Sequence, residues 1–236
     1  MTTTAMSLKI RSWKKIISTC FWGVVGIAAL IFFIRVATFE AQYYKNEEGK
    51  TREVAISALD EDVTNIDETE PTVEEVKAYT VAPDRPRYLT IGKLKVNGAK
   101  VIAIGVNSSG QLGTPNNIFD VGWYDASGKP GQGKTIVIDG HNGGPTKRGV
   151  FDDLPDLEEG DIITIERGDG AIFHYSVVEN SQVALDDADE YMKTAFKSPV
   201  SGKESITLIT CAGDWSSARG TYLYRQFVRA VLTETK

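Results

Sequence analysis

The chain has 236 residues, 42% hydrophobic and 25% charged, with a net charge of −6. That balance supports a folded core and excludes a wholly disordered chain. No basic face stands out against the acidic total, which argues against nucleic acid as a partner.

The charges are segregated along the chain. Lys9, Arg11, Lys14, Lys15 and Arg35 precede residue 40 with no acid among them, whereas residues 40–80 hold twelve acids against four cations. Between the first cations runs the uncharged stretch Ile16 to Ile34, "IISTCFWGVVGIAALIFFI". At ~1.5 Å per residue it spans about 28 Å as a helix, close to the ~30 Å hydrocarbon thickness of a bilayer. A cleaved signal would have a shorter apolar run and small residues at a cleavage site, and "RVATFEAQYY" supplies no such site. The expectation is a short cytoplasmic segment at 1–15, an uncleaved transmembrane anchor at 16–39 and everything after it outside the cell.

Residues 40–82 are acidic, interrupted by Pro71, and carry no sustained apolar face. They read as a solvated extracellular spacer, with single helical turns in "EVAISALD" and "TVEEVKAY". Of the two cysteines, Cys20 lies in the anchor and Cys211 in the exported part, so the two do not meet in a disulfide.

From residue 83 onward the texture is β-type. Candidate strands are "RYLTI", "AKVIAIGV", "KTIVIDG", "DIITIER", "AIFHYSVVEN", "ESITLITC" and "YRQFVRAVL". Turn signals separate them: "NG" at 97–98, "SSG" at 108–110, "EEGD" at 158–161 and "GDG" at 168–170. "RGVFDDLPDL" is the best candidate for a helical turn. No long helical pattern alternates with the strands, so residues 83–236 read as an all-β barrel or sandwich.

Gly128, Gly133, Lys134 and Thr135 fit the phosphate-loop template G-x-x-x-x-G-K-[ST]. The context does not. Such a loop joins a buried strand to a helix, and here a turn-like "DVGWYDAS" precedes it while the β-branched "IVID" follows. Pro130 also removes one of the amide donors. The segment reads as a turn feeding a strand.

Three chemically useful residues fall at expected borders of strand and loop. His141 follows "TIVIDG", Cys211 ends "SITLIT", and Arg225 opens the last strand. A thiolate needs a cation or acid/base partner, a histidine can protonate a departing amine, and an arginine suits a developing oxyanion.

These residues resemble the sortases, membrane-anchored cysteine transpeptidases of bacterial surfaces. The resemblance is carried by "TLITC" at 207–211, "GH" at 140–141 and "YRQFVRA" at 224–230. "GWY" at 122–124, "GVFDDL" at 149–154 and "EGDIITIERGDG" at 159–170 follow in matching order. It covers about residues 83–232 and is most similar to class F. It implies a closed eight-stranded β-barrel. It also implies Cys211 as nucleophile, His141 as acid/base, Arg225 as the oxyanion- and substrate-orienting cation, and Thr210 against the substrate. The implied reaction cleaves an LPxTG-like sorting signal and transfers the protein to an amine acceptor. That acceptor would be a peptidoglycan precursor or a pilin-type lysine; surface proteins with a C-terminal sorting signal are the donors, and no cofactor is implied.

Other residues have plainer readings beside these. Arg219 and Arg229 also follow the cysteine, and strand alternation puts Arg229 on the same face as Arg225. Trp215 either walls the substrate groove or covers core. His174 reads as a surface or partly packed strand residue, and Lys147 and Arg148 as solvated loop residues. Asp186, Asp187, Asp189 and Glu190 resemble the calcium loops of some sortases but read by default as a charged loop. Two rival functions use the same sequence: a thiol peptidase that only hydrolyses, and a non-catalytic surface scaffold.

Overall fold

The computed structural model describes residues 66–106 and 112–235. The expected cytoplasmic segment, the anchor and residues 40–65 of the spacer lie outside the described residues. Among the described residues no helix is long and apolar enough to cross a membrane.

Eight strands form the framework: β1 (Pro86–Ile91), β2 (Val96–Ile104), β3 (Val121–Tyr124), β4 (Thr135–Gly140), β5 (Ile162–Arg167), β6 (Ile172–Ala184), β7 (Ser205–Ser216) and β8 (Thr221–Thr235). They close into one barrel in the order β1–β2–β3–β4–β7–β8–β6–β5. Closure pairs every strand on both sides and removes exposed edges. The β2–β3 and β4–β7 pairs are parallel and the rest antiparallel.

Alternation along the strands sorts residues into two layers. Ile136 and Ile138 of β4, Ile206 and Leu208 of β7, and Val228 and Ala230 of β8 point into the barrel, where they pack with Trp123, Phe151, Phe173 and Tyr175. Each fully buried aliphatic side chain contributes roughly 1.5–3 kcal/mol of transfer free energy. Val137, Ile209 and Phe227 point outward instead and are covered by Tyr191, Met192 and Ala195. These three belong to helix α2, Leu185–Ala195, whose shorter counterpart α1 spans Val73–Ala78.

The structure corrects several sequence expectations. "VGWY" is a buried strand, not part of a turn. Asn97 and Gly98 lie inside β2, and the chain reverses earlier, over Gly92–Lys95, where Lys95 takes a left-handed conformation. The acidic group Asp186 to Glu190 lies on α2 instead of in a loop; Asp186 pairs with Arg219 and Glu190 with Lys193. The β7–β8 hairpin continues past the cysteine to Trp215↔Tyr222 and Ser216↔Thr221, across an irregularity between Ala212 and Trp215. Gly213 sits in that bulge at φ +75°, a conformation that disfavours side chains other than glycine. Cys211 and Arg225 therefore lie within strands, and only His141 follows a strand end.

The loop that imitates a phosphate cradle already holds an anion of its own. The Gly131 and Gly133 amides donate to the Glu204 carboxylate at 3.0 and 2.6 Å, and the Tyr175 hydroxyl adds a third bond at 2.7 Å. With Glu204 buried there and a strand after Thr135, the nucleotide reading fails on geometry as it did on sequence.

Residues 66–82, within the expected spacer, lie against the barrel. Thr72 and Glu75 form a capping box that starts α1. The Asp67 amide donates to the Asn116 carbonyl at 2.8 Å, and the Asp67 carbonyl accepts from the Ile118 amide at 3.0 Å. Glu68 accepts from the Thr146 and Lys147 amides at 2.7 and 2.9 Å and from the Thr146 hydroxyl. The segment thus bonds to two loops, at Asn116–Ile118 and at Thr146–Lys147.

Candidate active site

The outer face of the β4–β7–β8 sheet is covered by α2 over Val137, Ile209 and Phe227. One step further along the same face come Asp139, Cys211 and Arg225, by the alternation that put Val137, Ile209 and Phe227 there. Cys211 and Arg225 are direct cross-strand partners in the β7–β8 ladder. In the parallel β4–β7 ladder the register runs to Asp139↔Ile209; His141 follows just past the end of β4, and Cys211 lies two residues beyond Ile209 on β7. Three residues far apart in sequence therefore sit toward one end of one sheet. Cys211 and His141 are both partly exposed.

His141 is held from two sides. Its carbonyl accepts from the Phe151 amide at 2.9 Å, and Phe151 is anchored in the core. Its ring Nε2 lies 2.7 Å from the Pro115 carbonyl. A carbonyl only accepts, so Nε2 carries a proton and Nδ1 is the nitrogen left to exchange one.

Arg225 is oriented by its own hairpin. Nη1 donates to the Tyr222 and Tyr224 carbonyls at 3.1 and 2.9 Å, and Nη2 to the Thr221 hydroxyl at 3.0 Å. Two of the five guanidinium donors remain for a substrate.

The competing arginines have other work. Arg229 is buried, donates to Glu179 at 2.6 Å and to the Lys197 carbonyl at 2.8 Å, and so ties the end of α2 to β8. Burial pushes the Glu179 carboxyl up, but the Tyr191 hydroxyl and Arg229 outweigh it and hold it below its usual range. Arg219 is spent on Asp186 at the surface.

Thr210, expected against the substrate, is turned inward and buried; its hydroxyl donates to the Gly140 carbonyl at 2.7 Å. It links the residue before His141 to the residue before Cys211. Trp215 is half exposed and packs edge-on against Tyr222, ring centroids 5.3 Å apart, so it covers no core. His174 sits in β6 with its Nδ1 3.0 Å from the Thr164 hydroxyl, a partly packed strand residue as its sequence position suggests. Lys147 reaches the Glu68 carbonyl at 3.0 Å, and Arg148 pairs with Asp152 and Asp153.

Sequence reasoning missed Asp139. Its carboxylate accepts from the Thr114 hydroxyl at 2.7 Å. Burial pushes its pKa up to about 7, against the opposing pull of Thr114 and the Arg225 charge. An acid between apolar strand residues and directly before "GH" was the available signal. A cavity of about 520 Å³ also borders Thr114 and Pro115, lined by the Lys100–Asp120 ion pair, Asp67 and Glu75; Cys211 and Arg225 are not among its walls.

The sortase-domain family model matches residues 89–233. Among solved structures the chain is similar to the SrtA sortase from Actinomyces oris, at 19% identity and a TM-score of 0.48 over 66% of this chain and 84% of that one. It is also similar to a pilus-related sortase C of group B Streptococcus, at 18% identity and 0.48 over 80% and 91%. A Clostridium perfringens sortase D5 transpeptidase gives 21% identity and 0.45 over 79% and 98%. No curated protein matches the chain in sequence. By the family match, which spans more than half its length, the chain belongs to the sortase family of cysteine transpeptidases.

Proposed function

We propose that this protein is a membrane-anchored transpeptidase in which Cys211 is the nucleophile, His141 the acid/base and Arg225 the oxyanion-stabilising cation. The observation that supports this reading is that Cys211 lies opposite Arg225 in the β7–β8 ladder, with His141 just past the end of the neighbouring strand β4. The motif "GWY" at 122–124 and the stretch Cys211-Ala212-Gly213 favour class F within the family.

The thiolate attacks a peptide carbonyl of an LPxTG-like signal, forming a C–S bond and an oxyanion that the spare Arg225 donors stabilise. The C–N bond then breaks, and the electron pair leaves with the amine, which takes a proton from His141 Nδ1. A second amine gives its proton back to that nitrogen, attacks the thioester carbonyl and releases the sulfur. Trp215 and Tyr222 offer an exposed aromatic wall for the incoming peptide. The apolar stretch at 16–34 would hold the enzyme at the outer membrane surface, where sorting substrates and wall precursors are also tethered.

Incubation with an LPxTG-type peptide, with and without an amine acceptor, tests the reading. A ligated product that requires both is expected. Hydrolysis unaffected by amine would make the protein a thiol peptidase instead, and no turnover of any such peptide would favour a scaffold.

A further inference from the structure

Asp139 on β4 and His141 just past its end are two residues apart, and a single segment from elsewhere in the chain touches both. Thr114 Oγ1 donates to Asp139 Oδ2 at 2.7 Å, and the carbonyl of the next residue, Pro115, accepts from His141 Nε2 at 2.7 Å. The segment can lie this close to the sheet because the β3 residue facing Asp139 is Gly122. A Cβ there would come within 3.0 Å of Pro115 Cδ and 2.6 Å of Ile104 Cδ1. Pro115 itself is buried.

We propose that Asp139 is a positioning residue: through Thr114 it fixes the Pro115 carbonyl that holds the His141 Nε2–H, turning Nδ1 toward the sulfur. The role, though not the geometry, rests on the transpeptidase reading above. A hydroxyl donating to an ionised carboxylate is stronger than one donating to a neutral acid, so the charge on Asp139 sets how firmly the segment is held. Of the charged and titratable groups near it, Arg225 from β8 acts on it directly; Cys211 lies two residues beyond its β7 partner Ile209, His141 follows just past the end of β4, and its β3 partner is Gly122. Burial brings the Asp139 ionisation to near neutrality, where it can be followed.

The experiment uses the full chain and three substitutions: Asp139→Ala, Asp139→Asn and Thr114→Val. The first readout is independent of activity. With only two histidines in the chain, the His141 ring nitrogens can be assigned by NMR against a His174→Gln reference. In the parent protein the Nε2–H tautomer should dominate and its proton should exchange slowly. In Asp139→Ala and Thr114→Val that proton should exchange at least about tenfold faster and the tautomers should mix. The second readout is kcat against pH with an LPxTG-type peptide and an amine. Both variants should lose about 10- to 100-fold, part of the ~10²–10⁴ that acid–base catalysis supplies. Asp139→Asn keeps an acceptor oxygen, so it should recover most of the rate while the inflection near neutral pH disappears.

Unchanged His141 ring signals and pH profiles in Asp139→Ala and Thr114→Val overturn the proposal. If Asp139→Ala does not fold, Thr114→Val, altered at an exposed side chain, decides it alone. If the parent protein ligates nothing, the transpeptidase reading fails, while the NMR comparison still decides whether Asp139 positions His141.

Discussion

Cys211 and Arg225 face each other across the β7–β8 ladder, on the outer side of the barrel and just beyond the cover of α2. Four residues further along β8 on the same side, Arg229 lies under that cover and is bound to Glu179. A shift of two strand repeats separates a guanidinium open to a ligand from one locked into the fold.

That contrast gives opposite outcomes for two similar substitutions. Arg225→Ala should leave the melting temperature near the parent value and lower kcat/KM by about 10²–10³-fold, as loss of an oxyanion donor does. Arg229→Ala should cost roughly 1–3 kcal/mol of stability, because it removes the cation from Glu179 and the donor from the Lys197 carbonyl. Thermal unfolding and peptide-ligation kinetics on both variants separate the two roles. Abolished activity in a fully stable Arg229→Ala, with Arg225→Ala unaffected, reverses the assignment.

Asp139 should make stability depend on pH in an unusual direction. Unfolded, its carboxyl ionises near 3.8; folded, burial raises that to about 7. Between those values the folded chain holds a proton that the unfolded chain has released, so stability falls as pH rises from about 4 to 7 and then levels. Asp139→Asn removes this dependence. Its advantage over the parent should be absent near pH 3.5 and largest near pH 8. The ceiling is about 4 kcal/mol, at 1.36 kcal/mol per pK unit, and solvent reaching this partly exposed side chain lowers it. Denaturant titrations at the two pH values measure it.

The Glu68 clamp predicts a local effect. Hydrogen bonds from the Thr146 hydroxyl and from the Thr146 and Lys147 amides keep its carboxyl below the usual range. Glu68→Ala should speed amide exchange at Thr146 and Lys147 while leaving core amides such as Ile138 and Leu208 unchanged. Uniform exchange across the loop and core would mean that the clamp does not restrain the loop.

Seven strands were readable because β-branched and aromatic residues alternate or cluster between glycines, as in "KTIVIDG" and "ESITLITC". β3 was not, since four residues flanked by Asp120 and Asp125 look like a turn until β2 and β4 pair on either side of them. α2 hid behind its acids; Leu185, Ala188, Met192 and Ala195 have helical spacing, but the two alanines give it little apolar weight. The motifs singled out His141 and Cys211 without the fold. What distinguishes Arg229 from Arg225 is its bond to Glu179 from β6, and the contact of Pro115 with His141 comes from a loop that only folding brings beside β4. Alternation describes one strand; what covers its two faces is decided by other strands.

The central claim is a covalent bond at one sulfur. The full-length protein should be mixed with an LPxTG-type peptide in the absence of amine, quenched in acid, digested and mapped by mass spectrometry. A thioester-linked peptide fragment on Cys211, absent from Cys20, discharged as ligated product when an amine is added and missing in His141→Ala, is the predicted result. Substrate consumed with no acyl group on Cys211, or an adduct on another residue, would contradict it.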